Sequence, residues 1–544
     1  MSAPYPLTLA GCTPVPLAHY LKALGILRLV AEQADPAAAG CWQRDMFVLH
    51  SSLDRDALLD FFLHRYQPTP ILAPWNGGSG FYFQEEKLKE KDPLTGKKIK
   101  TGKRNQPTAA TRIVDAILKS SSPRFAGFRS AISIARSVLQ RRGLDEAPDG
   151  GAKNELISDL RGQWPDAVVA WIDCVTILVN ADTPATTTAS FKAAFPPLLG
   201  TGANDGNADF SSNFMQRLCE VIPIPEEAPP DDLAKSRLCL DAAVFGGTVA
   251  GSKTKAAIGQ FFPGSAGGPN NCAGFSGDSF VNPWDFILMI EGALLFAAAA
   301  VRRLEAGEEG ALAYPFSVRP TAAGYASSAG EDEANGRAEL WLPLWHNPVT
   351  LTELQTVFGE ARSQVGSRPA RNAIDFTRAA VTLGVDRGLS SFQRYGFCQR
   401  NGKNYFATPL ERVVVRRNAR ADLLSEVDAW ISRLRDKAGP TAKQPPASVS
   451  RALNQLEGRI LELCKQNSAA RLQAVLIALG AAERAVGRKY ALDQRNRLPA
   501  SAPGLVPALA NRSQYGLARV PPRCRAGVGD RQFRRRLAGP ALPS

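Results

Sequence analysis

The chain has only four histidines, His19, His50, His64 and His346, and none is followed by aspartate. That weighs against a nuclease that holds its metal through a His-Asp pair. No two of its nine cysteines, Cys12, Cys41, Cys174, Cys219, Cys239, Cys272, Cys398, Cys464 and Cys524, fall within four residues of each other. Neither a zinc motif nor a disulfide framework is legible in that spacing, and a reduced, cytoplasmic setting is the simple expectation. The opening MSAPYPLTLAGCTP lacks a basic segment followed by an apolar one, so no signal peptide is expected. No membrane span is expected either, because Glu291 interrupts the most apolar stretch, Asn282–Leu304, before it reaches about 18 residues.

What is present is positive charge on a folding sequence. The 544 residues are 44% hydrophobic and 21% charged, with a net charge of +14. A chain of that length forms more than one core. The excess of cations favours an anionic partner, for which nucleic acid is the usual candidate.

The richest stretch is Val385–Pro409, VDRGLSSFQRYGFCQRNGKNYFATP. It sets Phe392, Tyr395, Phe397, Tyr405 and Phe406 among Arg387, Arg394, Arg400 and Lys403. Cations neutralise phosphates and flat rings stack on bases. The turn residues Asn401 and Gly402 predict a strand-turn-strand hairpin around Arg400–Lys403. Arg394, Tyr395, Arg400, Asn401 and Lys403 are therefore candidate nucleic-acid contacts. The competing reading is that the rings fill a core and the charges cap its rim.

Taken in order, the chain begins with a strand over Leu7–Cys12, a helix over Leu17–Glu32, a strand over Phe47–His50 and a helix over Asp54–Tyr66. Ala73–Tyr82, APWNGGSGFY, follows. Its glycines allow backbone geometry closed to other residues, making Asn76, Gly77 and Gly78 candidates for close approach to a phosphate or base edge. A turn pinned by Trp75 and Phe81 is the alternative. Lys87–Arg104 carries eight cations and reads as an exposed, mobile basic loop, with Lys97, Lys98 and Lys100 as phosphate candidates.

Helical patterns cover Ala109–Ser120, Arg129–Arg142 and Asn154–Leu160, and Val168–Val179 reads as core. In Leu199–Leu218 the run Asp205, Asn207, Asp209 starts like a calcium loop, but Phe210 stands where glycine is required and Gln216 where the closing glutamate belongs. The stretch from Gly246 to Thr254 resembles a phosphate loop with Ser252 in place of its lysine. A flexible loop using Lys253 and Lys255 near nucleic acid is the better reading. Asn282–Leu304 reads as one central buried helix capped by Asn282, whose Glu291 needs a basic partner. Dispersed acids such as Asp278, Asp285 and Glu291 leave a metal-dependent nuclease, or another nucleic-acid-processing enzyme, as the alternative function.

The expected fold is α+β. Residues 1–222 form a mixed α/β region, 233–417 a central domain with the glycine-rich loop, buried helix and basic-aromatic hairpin, and 418–497 a helical region. Leu498–Ser544 holds eight arginines, one acid and no lysine, half of the net charge of +14. It shows no period and reads as a disordered Arg/Pro-rich tail. The abrupt change in composition is what a shifted reading frame in GC-rich DNA produces.

Six stretches, Leu17–Val30, Ala73–Tyr82, Leu199–Leu218, Asn282–Leu304, Glu339–Trp345 and Phe392–Thr408, together resemble the large subunit of the type I-G (formerly I-U) CRISPR interference complex, or Cascade. The resemblance spans about residues 7–497. It implies a non-catalytic DNA-binding subunit of an RNA-guided complex in antiviral defence, without cofactor. Its implied partners are the other subunits of the CRISPR RNA-containing complex, target DNA and a recruited helicase-nuclease. Such subunits recognise the motif flanking the target and help open the duplex. The resemblance also implies that 418–497 is similar to the complex's small subunit, and incomplete here because the tail replaces the family-like text after Arg497.

Overall fold

In a computed structural model the chain adopts a mixed α+β fold. The structure describes residues 5–91, 98–180, 191–200, 206–224, 230–249, 259–266, 282–297, 299–301, 311–318, 338–361, 363–366, 368–400, 404–439, 442 and 444–490. The described residues divide into two compact units, and the chain passes between them more than once. One contains those within Met1–Ser317, Leu340–Ala361 and Tyr395–Leu410; the other contains those within Val318–Glu339, Arg362–Arg394 and Glu411–Ser544. Both flanks of the expected boundary between residues 222 and 233 belong to the first unit.

The first unit is organised on two helices, Leu17–Gln33 and Pro283–Ala293. Both are buried on nearly every face, which is why neither shows a polar stripe. They cross at paired glycines. A Cβ at Gly25 would collide with the Leu288 carbonyl, and one at Gly292 with the Leu21 carbonyl. Backbone approach this close is possible only without side chains at those two positions. A four-stranded sheet orders Tyr5–Leu9, Met46–Ser51, Ala39–Gln43 and Val349–Thr350.

The apolar run after Pro283 does not form one helix. It stops at Ala293, makes a 3-10 turn over Leu294–Phe296, and resumes as the strand Ala299–Val301. A continuous apolar run carries no period that separates a buried helix from a buried strand. Glu291 has the basic partner it requires. Its carboxylate is fully buried and receives the Arg28 guanidinium, the Tyr66 hydroxyl at 2.5 Å, and the Thr69 N–H and hydroxyl at 2.9 and 2.7 Å. Both carboxylate oxygens are engaged, which is what makes a buried charge tolerable.

In the second unit the helices Asp428–Ala438, Ala447–Lys465 and Ala469–Tyr490 build a separate core around Trp430, Leu456, Ile460 and Leu479. Against it sits Asp375, fully buried on the helix Ala373–Thr382. Its carboxylate takes hydrogen bonds from Arg368 at 2.7 and 3.1 Å and from Arg435 at 2.9 Å. A further four-stranded sheet, whose strands carry residues assigned to both units, orders Ser317–Val318, Glu339–Trp345, Leu389–Arg400 and Asn404–Val414.

Candidate nucleic-acid interface

The hairpin strands expected around residues 400–403 are present as Leu389–Arg400 and Asn404–Val414, adjacent in their sheet. Arg400 ends the first strand, while Asn401 and Lys403 lie outside the described residues. Phe392, Tyr395, Phe397 and Phe406, however, are core. Phe392 is fully buried with its edge on Phe376, Phe397 packs on Phe261, and Tyr395 donates its hydroxyl to the Pro14 carbonyl at 2.7 Å. Arg394 is also fully buried. It meets Glu339 at 2.9 Å and Glu411 at 2.7 Å. A guanidinium closed in by two carboxylates has no face left for a phosphate, so Arg394 and Tyr395 are corrected from contact candidates to structural residues.

The glycine loop fares differently. Two of the polar stretches prominent in the sequence meet. Asn76 donates its side-chain amide to the Asn207 carbonyl and the Asp209 carboxylate, each at 2.8 Å, and Trp75 donates to the Gly206 carbonyl at 3.1 Å. The Asn76 carboxamide oxygen accepts the Gly78 N–H at 2.8 Å. Asn76 is thus the pin of the turn rather than an outward-facing ligand. Half-buried Lys153 donates to the Asn207 side chain at 3.3 Å. Burial lowers its pKa, outweighing Asp149 and Asp209, which raise it.

Pinning the loop this way leaves Gly77 and Gly78 exposed at its tip. The fold does not require glycine at either. A Cβ at Gly77 would meet only Ala147, at 3.6 Å, and one at Gly78 only the Asn76 side chain, at 3.4 Å. Gly80 is the opposite case. Its φ is +91° and a Cβ there would stand 2.5 Å from the Ala110 carbonyl. One glycine of the loop therefore serves the fold, and two stand free at the surface.

The chain leaves this loop through Phe83, a ring 59% exposed that no sequence pattern marks. Its neighbours are anchored. Tyr82 donates to the Pro74 carbonyl at 2.6 Å, and Thr111 to the Tyr82 carbonyl at 3.2 Å. Beyond Phe83 lies a correction to the expected mobile basic loop. Gln84–Lys91 and Lys98–Gln106 are paired antiparallel strands. Lys98 and Lys100 fall in the second strand, opposite Lys91 and Lys89. Charged residues in this run mask the period that identifies a strand. Lys97, Lys253 and Lys255 lie outside the described residues.

The acids of the nuclease alternative are engaged. Asp285 is ion-paired to buried Lys22 at 2.6 Å, Glu291 is held by Arg28, and Asp278 lies outside the described residues. Cys12 and His19 sit close to the Lys22–Asp285 pair. Burial pushes the Cys12 thiol up to about 12, outweighing Lys22, which lowers it. Burial and Lys22 push His19 down to about 4, against Asp285, which raises it. At pH 7 the thiol is therefore protonated and the imidazole neutral, the opposite of an activated Cys-His pair. Among the described residues no group of three or more His, Cys, Asp or Glu side chains is placed to hold a metal ion, and no helix is long and apolar enough to cross a membrane. No known protein family matches the chain, and no curated protein does.

Proposed function

We propose that the chain is the non-catalytic DNA-binding large subunit of a type I CRISPR RNA-guided surveillance complex. In that role it recognises the motif flanking the target, assists duplex opening and serves as the landing site for a separate helicase-nuclease in the cytoplasm. The observation that carries the reading is the glycine loop of APWNGGSGFY. It is one of six stretches that, in sequence order, resemble this family. Its tip also offers two exposed glycines that local packing does not explain. Small residues at an exposed, pinned tip allow a partner's backbone or base edge to come close.

The expected contribution is binding rather than bond cleavage. The test pairs two assays on the isolated protein. Duplex DNA should be retained on nitrocellulose, with affinity falling steeply as salt rises. Incubation with magnesium or manganese should leave the same DNA intact. Specific cutting that requires the metal ion would overturn the reading in favour of a nuclease.

A further inference from the structure

We propose that the ribbon formed by Gln84–Lys91 and Lys98–Gln106 is a lysine rail that lies along the phosphate backbone of duplex DNA. The proposal rests on the DNA-binding reading above and assigns its electrostatic footing. The starting point is register. Lys87 pairs with Lys103, Lys89 with Lys100, and Lys91 with Lys98. Directly opposed residues share a face of a sheet, and residues two apart along a strand share it too. A register shift between Leu88 and Lys89 skips Thr101, and this brings Lys103 onto the face that Lys98 and Lys100 occupy. All six lysines thus fall at positions of one face. The pair Glu85 and Asn105 lies at its base. The other face takes Glu86 opposite Arg104, Leu88 opposite Gly102, and Glu90 opposite Ile99.

Like charges directly opposed across a strand pair destabilise it, and here three such pairs stand in succession. The register concentrates cations on one face while the opposite face keeps a mixed set of charges. A polyanion laid on the lysine face turns three repulsions into six attractions.

Two features select duplex DNA among polyanions. Alternate residues of a strand stand about 7 Å apart and the two rows about 5 Å apart. The face is therefore a narrow strip that follows one phosphate strand, rather than a surface spanning a major groove about 12 Å wide. Proteins that hold single strands add rings on which bases stack, and residues 84–106 include no aromatic residue. Lysine point charges without base-reading partners contribute affinity that is independent of sequence.

The test uses the full chain carrying Lys87, Lys89, Lys91, Lys98, Lys100 and Lys103→Gln, beside a six-fold Lys→Arg variant. Affinity for a duplex and for one of its single strands is measured across a salt series. The Gln variant should weaken duplex binding at least tenfold at 0.1 M salt. Its log-log salt slope should shrink by about 0.9 for each phosphate no longer neutralised, up to about 5 for six. The Arg variant should bind as the parent does, and circular dichroism should match for all three. Unchanged duplex affinity of a folded Gln variant, while the parent binds, would overturn the rail and leave the DNA-binding reading standing. A loss confined to single strands, or to association with other protein subunits, would likewise overturn it. If the parent itself holds no DNA, alone or in its complex, both the rail and the reading fall.

Discussion

Replacing the glycines of the loop one at a time separates a folding role from a binding role. Gly78 has no steric need to be glycine, because its φ lies outside the left-handed region and a new Cβ meets only the Asn76 oxygen at 3.4 Å. Gly78→Ala should therefore be neutral or stabilise by about 0.4–1 kcal/mol, through the lower entropy of the unfolded chain. Gly80→Ala forces a side chain into φ +91° and to 2.5 Å from a backbone oxygen. Strain of that kind costs about 1–3 kcal/mol before the collision is counted. Urea unfolding followed by tryptophan fluorescence measures both. Gly78→Val, with more bulk at the tip, should lose roughly tenfold in DNA affinity, about 1.4 kcal/mol, with a smaller loss of stability. The reasoning is refuted if Gly78→Val loses stability and binding equally. It is also refuted if Gly78→Ala destabilises as much as Gly80→Ala does.

Arg394→Ala should act on folding, because it removes the guanidinium that is ion-paired to the buried Glu339 carboxylate. Removing one partner of a buried pair costs about 3–5 kcal/mol, and a stable variant with weakened DNA binding would contradict the assignment. Burial pushes the Asp375 pKa up, but Arg368 and Arg435 outweigh it and bring it from 3.8 to about 2. A depressed carboxyl stabilises the fold above its unfolded pKa, and that contribution, about 2 kcal/mol, is lost as pH falls from about 4 to 2. Asp375→Asn should lower stability at pH 7 and flatten this acid limb, read from urea midpoints across pH. Deleting Leu498–Ser544, which lies outside the described residues, should leave the melting temperature unchanged; a drop of several degrees would show that the tail packs.

Local pattern makes much of this molecule legible. The helix cap at Asn282 and the requirement that Glu291 find a cation follow from residue type alone. That the cation is Arg28, 263 residues away, does not. The same limit explains the hairpin. Rings and arginines at Phe392–Lys403 have the composition of a nucleic-acid surface. Only the long-range partners Glu339, Pro14, Phe261 and Phe376 show that Phe392, Arg394, Tyr395 and Phe397 are buried. The short strand Ala39–Gln43 pairs with its neighbour Met46–Ser51, but Arg44 and Asp45 make the left-handed turn between them without a glycine, so no turn signal marks the hairpin. The lysine ribbon resists for another reason. Its charges carry no apolar period, so the pairing that aligns them is visible only in the register.

The most direct measurement of the central claim is target capture by the RNA-guided complex reconstituted with and without this chain. Duplexes with the correct flanking motif and with an altered one are compared at equal salt. The account predicts that the chain co-purifies with the complex and that capture requires both the chain and the correct flank. Equal capture without the chain, or a chain that never joins the complex, would contradict it.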